Sequence, residues 1–259
     1  MASKHHQRAA VAALTGDLPP GPAIFTSVPA DLALVEGVRH ALAEAADPER
    51  AVGQQAYMKS VMPYRGVTLP ALWKLLRPLL AEHPPGSRAD WEATVRELWD
   101  HAAFREERYA ATALVQHPAA KPWRDGEALP LARHLIVTGA WWDHVDELAV
   151  HLVGEALRAD PDVVRPVLVA WATDDELWLR RTSVMCQVGA KGDVDVALLR
   201  LAIEANVDDR TFWLRKAIGW ALRDHARADP DWVRAEVARL GDRLSGLSRR
   251  EALKHLSPA

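Results

Sequence analysis

The sequence predicts an all-α protein, a right-handed solenoid of stacked helix pairs. Three observations predict it. Ala, Leu and Arg are the commonest of the 259 residues, and β-branched residues rarely alternate with polar ones, which favours helix over sheet. Amphipathic stretches follow one another with short interruptions from about residue 90 onward. Some of them resemble each other in register: LWLRRTS (177–183) matches FWLRKAI (212–218).

The bulk composition narrows the function classes. With 49% hydrophobic residues the chain is an ordinary folded protein, long enough for a sizeable core. A single cysteine, Cys186, excludes an intramolecular disulfide and a Cys-based zinc site, and it reads as a small buried hydrophobe. No stretch approaches the ~20 apolar residues of a membrane span, and the N-terminus lacks a signal-peptide layout, so a cytoplasmic protein with no membrane partner is expected. A net charge of −3 argues against a coat of positive charge but leaves room for one basic face.

The chain divides into an N-terminal extension, residues 1–30, and a single repeat domain, residues 31–259. The extension holds a solvated KHHQR patch, a possible short helix AAVAAL and the loop GDLPPGP. Asp31 to Ala46 forms the first solid helix. Asp47-Pro48 turns into the next, which carries Tyr57, Met58 and Lys59. MPYRGV breaks the pattern, and Thr68-Leu69-Pro70 opens another helix with Pro inside its start. HPPGSRAD is a loop. Helices are then expected over 90–101, 104–116, 127–138, 140–158, 161–172, 174–188, 193–205, 209–227, 230–240 and 247–256.

The period sits in the mid-thirties. From Arg181 to Lys216 is 216 − 181 = 35 residues, from Lys216 to Arg250 is 34, and one step back from Arg181 lands on Asp146. A further 38 lands on Arg108. Two helices per unit at this period fit HEAT-like repeats; an irregular helical bundle is the other possibility. Stacked repeats align equivalent positions, so Arg108, Asp146, Arg181, Lys216 and Arg250 form a column on a concave face, with Arg180, Arg215, Arg223 and Arg249 adjacent. Trp213, Lys216, Trp220 and Arg223 follow i, i+3, i+7, i+10 and form one stripe of alternating aromatic and cation. A basic face with interleaved aromatics suits a polyanion with flat surfaces, such as DNA. The plainer possibility is that the tryptophans are core and the cations a solvated rim.

One anion interrupts the column. In GAWWDHVDELA (139–149), Trp142 and Asp146 are i, i+4 and share a helix face. A ring face and a carboxylate both favour positive charge. The alternative is a core Trp and a carboxylate that pairs with Arg181 one repeat away. Asp143 serves the helix N-terminus. His144 and His151 lack a third ligand at helical spacing, so no metal is expected. Glu106, Glu107 and the charges in 88–97 read as solvated faces.

Five stretches together resemble the AlkD-like family of alkylpurine DNA glycosylases. They are Tyr57-Met58-Lys59 with Pro63-Tyr64-Arg65-Gly66; Trp142-Asp143-His144-Val145-Asp146; Trp178-Leu179-Arg180-Arg181-Thr182; Arg215 through Arg223; and Leu247-Ser248-Arg249-Arg250-Glu251-Ala252. Their order and spacing cover roughly residues 50 to 256. The resemblance implies a DNA repair enzyme that hydrolyses the N-glycosidic bond of cationic N3- or N7-alkylated purines in duplex DNA, without base flipping and without a cofactor. It implies that Asp146 is catalytic with Trp142 and Trp220 beside it, and that Arg181, Arg223 and Tyr57 hold DNA. Lys59, Lys216, Arg180, Arg215 and Arg249 join them as DNA-binding candidates. In MPYRGV, where the family more often has Phe and an apolar residue, this chain departs, and that loop is expected to meet DNA differently. A monomer is expected. The alternatives are a non-catalytic DNA-binding HEAT protein, against which Asp146 and both tryptophans argue, and a protein-binding scaffold, which salt-sensitive DNA binding would exclude.

Overall fold

The computed structural model describes residues 29–256 and is all-α: among the described residues it holds fourteen α-helices and no strand. The AAVAAL helix and the loop after it lie outside the described residues. The helices group into two compact units, one running to Trp123 and the other starting at Arg124.

The first unit contains α1 (Leu32–Glu44), α2 (Pro48–Met58), α3 (Leu69–Glu82), α4 (Arg88–Asp100) and α5 (Arg105–Val115), then a 3-10 turn, Pro118–Trp123. Side-chain caps start three of these helices. Asp31 accepts the Leu34 N–H, Asp47 accepts Arg50 and Ser87 accepts Asp90, each satisfying a backbone donor that has no partner inside the helix. α1 packs on α3, α4 and α5. The core here is built from Leu34, Val38, Leu72, Leu76 and two fully buried indoles, Trp91 and Trp99.

Glu106 and Glu107 are not solvated. Glu106 is 0% exposed, and its carboxylate accepts the backbone N–H groups of Arg65, Gly66 and Val67 at 2.9–3.1 Å. It therefore ties down the MPYRGV break from beneath. Gly66 is required in that segment: its φ is +88°, and a Cβ would stand 2.0 Å from the Asp47 carbonyl oxygen. Glu107 closes the start of α5 and pairs with Arg39 at 2.9 Å. Charge at these positions serves buried backbone donors, which the helical periodicity of a single helix does not reveal.

The second unit contains α6 (Leu129–Gly139), α7 (Trp142–Leu148), α8 (Gly154–Ala159), α9 (Pro161–Trp171), α10 (Leu177–Met185), α11 (Val196–Asn206), α12 (Phe212–His225), α13 (Pro230–Leu240) and α14 (Gly246–Ala252). α7 and α8, expected as one helix, are joined by a π-turn, Ala149–Val153. At two of the helices that start later than periodicity suggests, aspartates bind backbone first. Asp174 accepts the N–H of Glu176 before α10, and Asp209 accepts that of Thr211 before α12.

The mid-thirties period appears as bonds between adjacent helix pairs. The Gly189 N–H donates to Asp224, Arg239 to Glu204 and Arg243 to Asp208, each across 35 residues. Gly154 marks the tightest helix contact, where a Cβ would lie 2.1 Å from the Cys186 carbonyl oxygen. Cys186 is buried there, and burial pushes its thiol up to about 12, so it stays an inert thiol. Among the described residues no helix is long and apolar enough to cross a membrane.

Candidate functional site

The starts of α7, α10 and α12 are gathered by three indoles that sequence reasoning did not connect. Trp141 lies with its ring centre 6.2 Å from Trp178 and 5.3 Å from Trp213, and Trp178 lies 5.7 Å from Trp213. Phe212 abuts Trp213 edge-on at 5.1 Å. The spacings 178 − 141 = 37 and 213 − 178 = 35 carried the signal. Such clustered rings contribute packing beyond their buried area. They bring the first turns of three helices together, and Asp146, Arg181 and Lys216 each lie one turn further along.

Asp146 lies one turn into α7, next to Arg181 of α10. Arg181 Nε donates to Asp146 Oδ1 and Nη2 to Oδ2, both at 2.7 Å, and Nη1 donates to the Trp213 carbonyl. Arg181 is 2% exposed and Asp146 9%. The arginine expected to hold phosphate is thus buried and spends all three nitrogens on the carboxylate and on α12. Burial raises Asp146 above the ordinary carboxylate range; the Arg181 hydrogen bonds and charge act in the opposite direction and do not fully offset it. Two of its roughly four acceptor positions are used, which leaves lone pairs for a water or a developing cation. Trp142 opens α7 one turn before Asp146 and is half-buried.

On α12, Lys216 and Arg223 both reach Glu251 of α14. Lys216 Nζ lies 2.7 Å from Oε1 and Arg223 Nη1 2.5 Å from Oε2. The Arg223 guanidinium also stands 5.8 Å from the centre of the Trp220 ring, which is half-buried. Gly219, between the two cations, permits the approach: a Cβ would sit 2.7 Å from Glu251 Cβ and 3.0 Å from the Ser248 backbone.

These pairs correct the expected column. Asp146 bonds Arg181 and Lys216 bonds Glu251, each across 35 residues, so the last member is Glu251 rather than Arg250. The column reads anion, cation, cation, anion, with no excess charge. Arg250 is exposed one position away. Arg108, in the first unit, instead lies over the Trp99 ring at 4.9 Å. Of the flanking cations, Arg180 pairs with Asp209 at 2.8 Å, Arg215 donates to the Asp209 carbonyl at 3.3 Å and Arg249 to the Gly241 carbonyl at 2.6 Å.

Tyr57 and Lys59 belong to the first unit. Tyr57 is 79% exposed at the end of α2, with Val52 and Val61 exposed near it in sequence, and Lys59 closes the helix in the left-handed conformation at φ 50°. In the adjoining break, Tyr64 is buried with its hydroxyl 3.0 Å from that of Tyr109, and Arg65 stacks over Phe104 at 3.8 Å. His144 is buried, and His151 faces Glu147 at 3.7 Å; among the described residues no group of three metal-ligating side chains converges.

An all-α chain with a buried carboxylate–arginine pair at its helix starts defines the class, and sequence comparison supplies the family. The chain matches the model of the DNA alkylation repair enzyme family over residues 38–256 and belongs to that family. It is similar to the structure of a predicted DNA alkylation repair enzyme from Enterococcus faecalis, at 26% identity and a TM-score of 0.73, covering 83% of this chain and 98% of that one. No curated protein matches the chain.

Proposed function

We propose that the protein is a glycosylase that releases cationic N3- or N7-alkylated purines from duplex DNA. The observation that carries the reading is Asp146: a carboxylate held by two hydrogen bonds to a buried arginine, beside a half-buried indole, in a member of an alkylation-repair family. Alkylation puts positive charge on the purine, so the base leaves without a general acid. As the C1′–N9 bond breaks, its electron pair neutralises the base and the sugar becomes oxocarbenium-like. Asp146 stabilises that cation and orients a water, whose oxygen bonds C1′ and whose proton passes to the carboxylate or to solvent. Trp142 and Trp220 offer ring faces to the same positive charge.

In this reading Arg181 is a positioning residue. It opposes the upward pull of burial on the Asp146 pKa without cancelling it, and its bond to the Trp213 carbonyl fixes its direction. Phosphates fall to Lys216 and Arg223 of the second unit, with Arg180, Arg215 and Arg249 as further candidates there; in the first unit, taken by itself, exposed Tyr57 and Lys59 are DNA-binding candidates. Because the leaving base needs no acid, it needs no enclosing pocket, and the lesion stays stacked in the duplex.

The Asp146–Arg181 pair also suits a second reading, a DNA-binding relative in which the pair only joins two helices. Release of free N7-methylguanine from a duplex by the intact protein, and its loss in Asp146→Asn, support the first reading. Salt-sensitive binding without release supports the second.

A further inference from the structure

We propose that Glu251 is a built-in competitor for DNA phosphate, occupying the Lys216–Arg223 site and limiting the grip on undamaged DNA. The inference rests on the reading that the second unit binds duplex DNA. A carboxylate and a phosphate present the same feature to a lysine and an arginine: two anionic oxygens, one for each cation. Glu251 uses both, Oε1 on Lys216 and Oε2 on Arg223.

The arrangement is built into the helix packing. α14 approaches α12 at the distance that Gly219 alone permits, and the Ser248 hydroxyl donates to the Arg215 carbonyl at 2.8 Å. Glu251 is thereby carried to the two cations by the backbone. Its carboxyl is held below the usual range, first by the Lys216 hydrogen bond and further by the Lys216, Arg223 and Lys254 charges, so it stays ionised. The side chains of Lys216 and Arg223 are 36% and 21% exposed and that of Glu251 15%. A phosphate arriving from solvent meets the cations first and must draw them from an anion already in place. The three groups together present one positive charge where two cations stand, which weakens binding to any phosphate, damaged site or not. A repair protein that must leave undamaged DNA gains from that weakening.

The test is binding of the full-length protein to a labelled undamaged duplex across a series of NaCl concentrations, with E251Q and E251D beside the wild type and a thermal melt for each. E251Q exposes one more unit of positive charge. It is expected to bind about tenfold tighter at low salt, with a log–log salt slope steeper by about one. E251D draws the carboxylate back from both cations and is expected to bind tighter by a smaller factor, which covers the case in which E251Q does not fold. A folded variant that binds as the wild type does, or more weakly, overturns the proposal and makes Glu251 a group that holds the cations ready for DNA. Wild-type protein that shows no salt-sensitive binding overturns the DNA reading itself.

Discussion

Asp146 and Arg181 stand 35 residues apart and meet in a two-pronged pair, both N–O distances 2.7 Å, with the arginine 2% exposed. Removing one partner of such a pair strands the other charge away from water, at a cost of about 3–5 kcal/mol. Arg181→Ala is therefore expected to lower stability by that order. Arg223 is partly exposed, so Arg223→Ala is expected to melt near the wild type while weakening duplex binding. Chemical denaturation and a DNA titration of both variants check this. Equal melting temperatures would show that Arg181 does not bear the load assigned to it.

Gly154→Ala sets two effects against each other. Alanine in a helix gains up to about 1 kcal/mol over glycine. The new Cβ, however, would stand 2.1 Å from the Cys186 carbonyl oxygen, which is backbone and cannot turn aside. Overpacking of this kind costs about 1–3 kcal/mol, so the steric effect wins and the variant is expected to be less stable. A denaturation midpoint at or above the wild type would refute the close contact.

His225 is buried edge-on against Trp232 at 5.2 Å. Burial lowers its pKa below the ordinary imidazole value, against the opposing pull of Asp229 and Asp224. With the folded pKa depressed, the unfolded chain binds the proton first. Stability is thus fully present above the ordinary histidine pKa of about 6.5 and is lost as pH falls through the folded value. Replacing His225 with Leu is expected to flatten that part of the stability–pH curve. An unchanged slope below neutrality would assign the effect to other groups.

Glu106→Gln removes the charge from a carboxylate that serves three backbone N–H groups. Hydrogen bonds to charged groups contribute about 1.5–3 kcal/mol, and an amide oxygen satisfies fewer of these donors. Faster amide exchange at Arg65, Gly66 and Val67 is the expected result; unaltered exchange there would show that the segment is held by other means.

Most of the fold was legible because its signals are local. Prolines at first turns and amphipathic spacing located helices to within a few residues. The repeat was legible because LWLRRTS and FWLRKAI are near copies. What escaped needed a partner from another helix. A cation fits the pattern at Arg250, the last column member, but bonding selects Glu251. Glu106 and Glu107 read as surface charge because the backbone donors they satisfy lie some forty residues upstream or across the helix start. Trp141 has no charged neighbour at helical spacing to mark it, yet it packs with Trp178 and Trp213. The π-turn after Asp146 has no signature in side-chain spacing. For the candidate site, the spacing of 35 residues already allowed Asp146 to pair with Arg181, and the structure shows that pair.

Asp146, in the proposed reaction, acts in excision as well as in packing. Single-turnover release of N7-methylguanine by Asp146→Asn, measured well below its melting temperature and beside a thermal melt, tests it most directly. The raised pKa of Asp146 adds a companion readout. The ionised form is the active one, so the acid limb of the wild-type rate profile is expected above the ordinary aspartate range. The mutant is expected to fold, to be less stable than the wild type, and to lose excision rate by roughly 100-fold or more, the size typical of a lost transition-state charge partner. A folded Asp146→Asn protein that releases the base at the wild-type rate would contradict it.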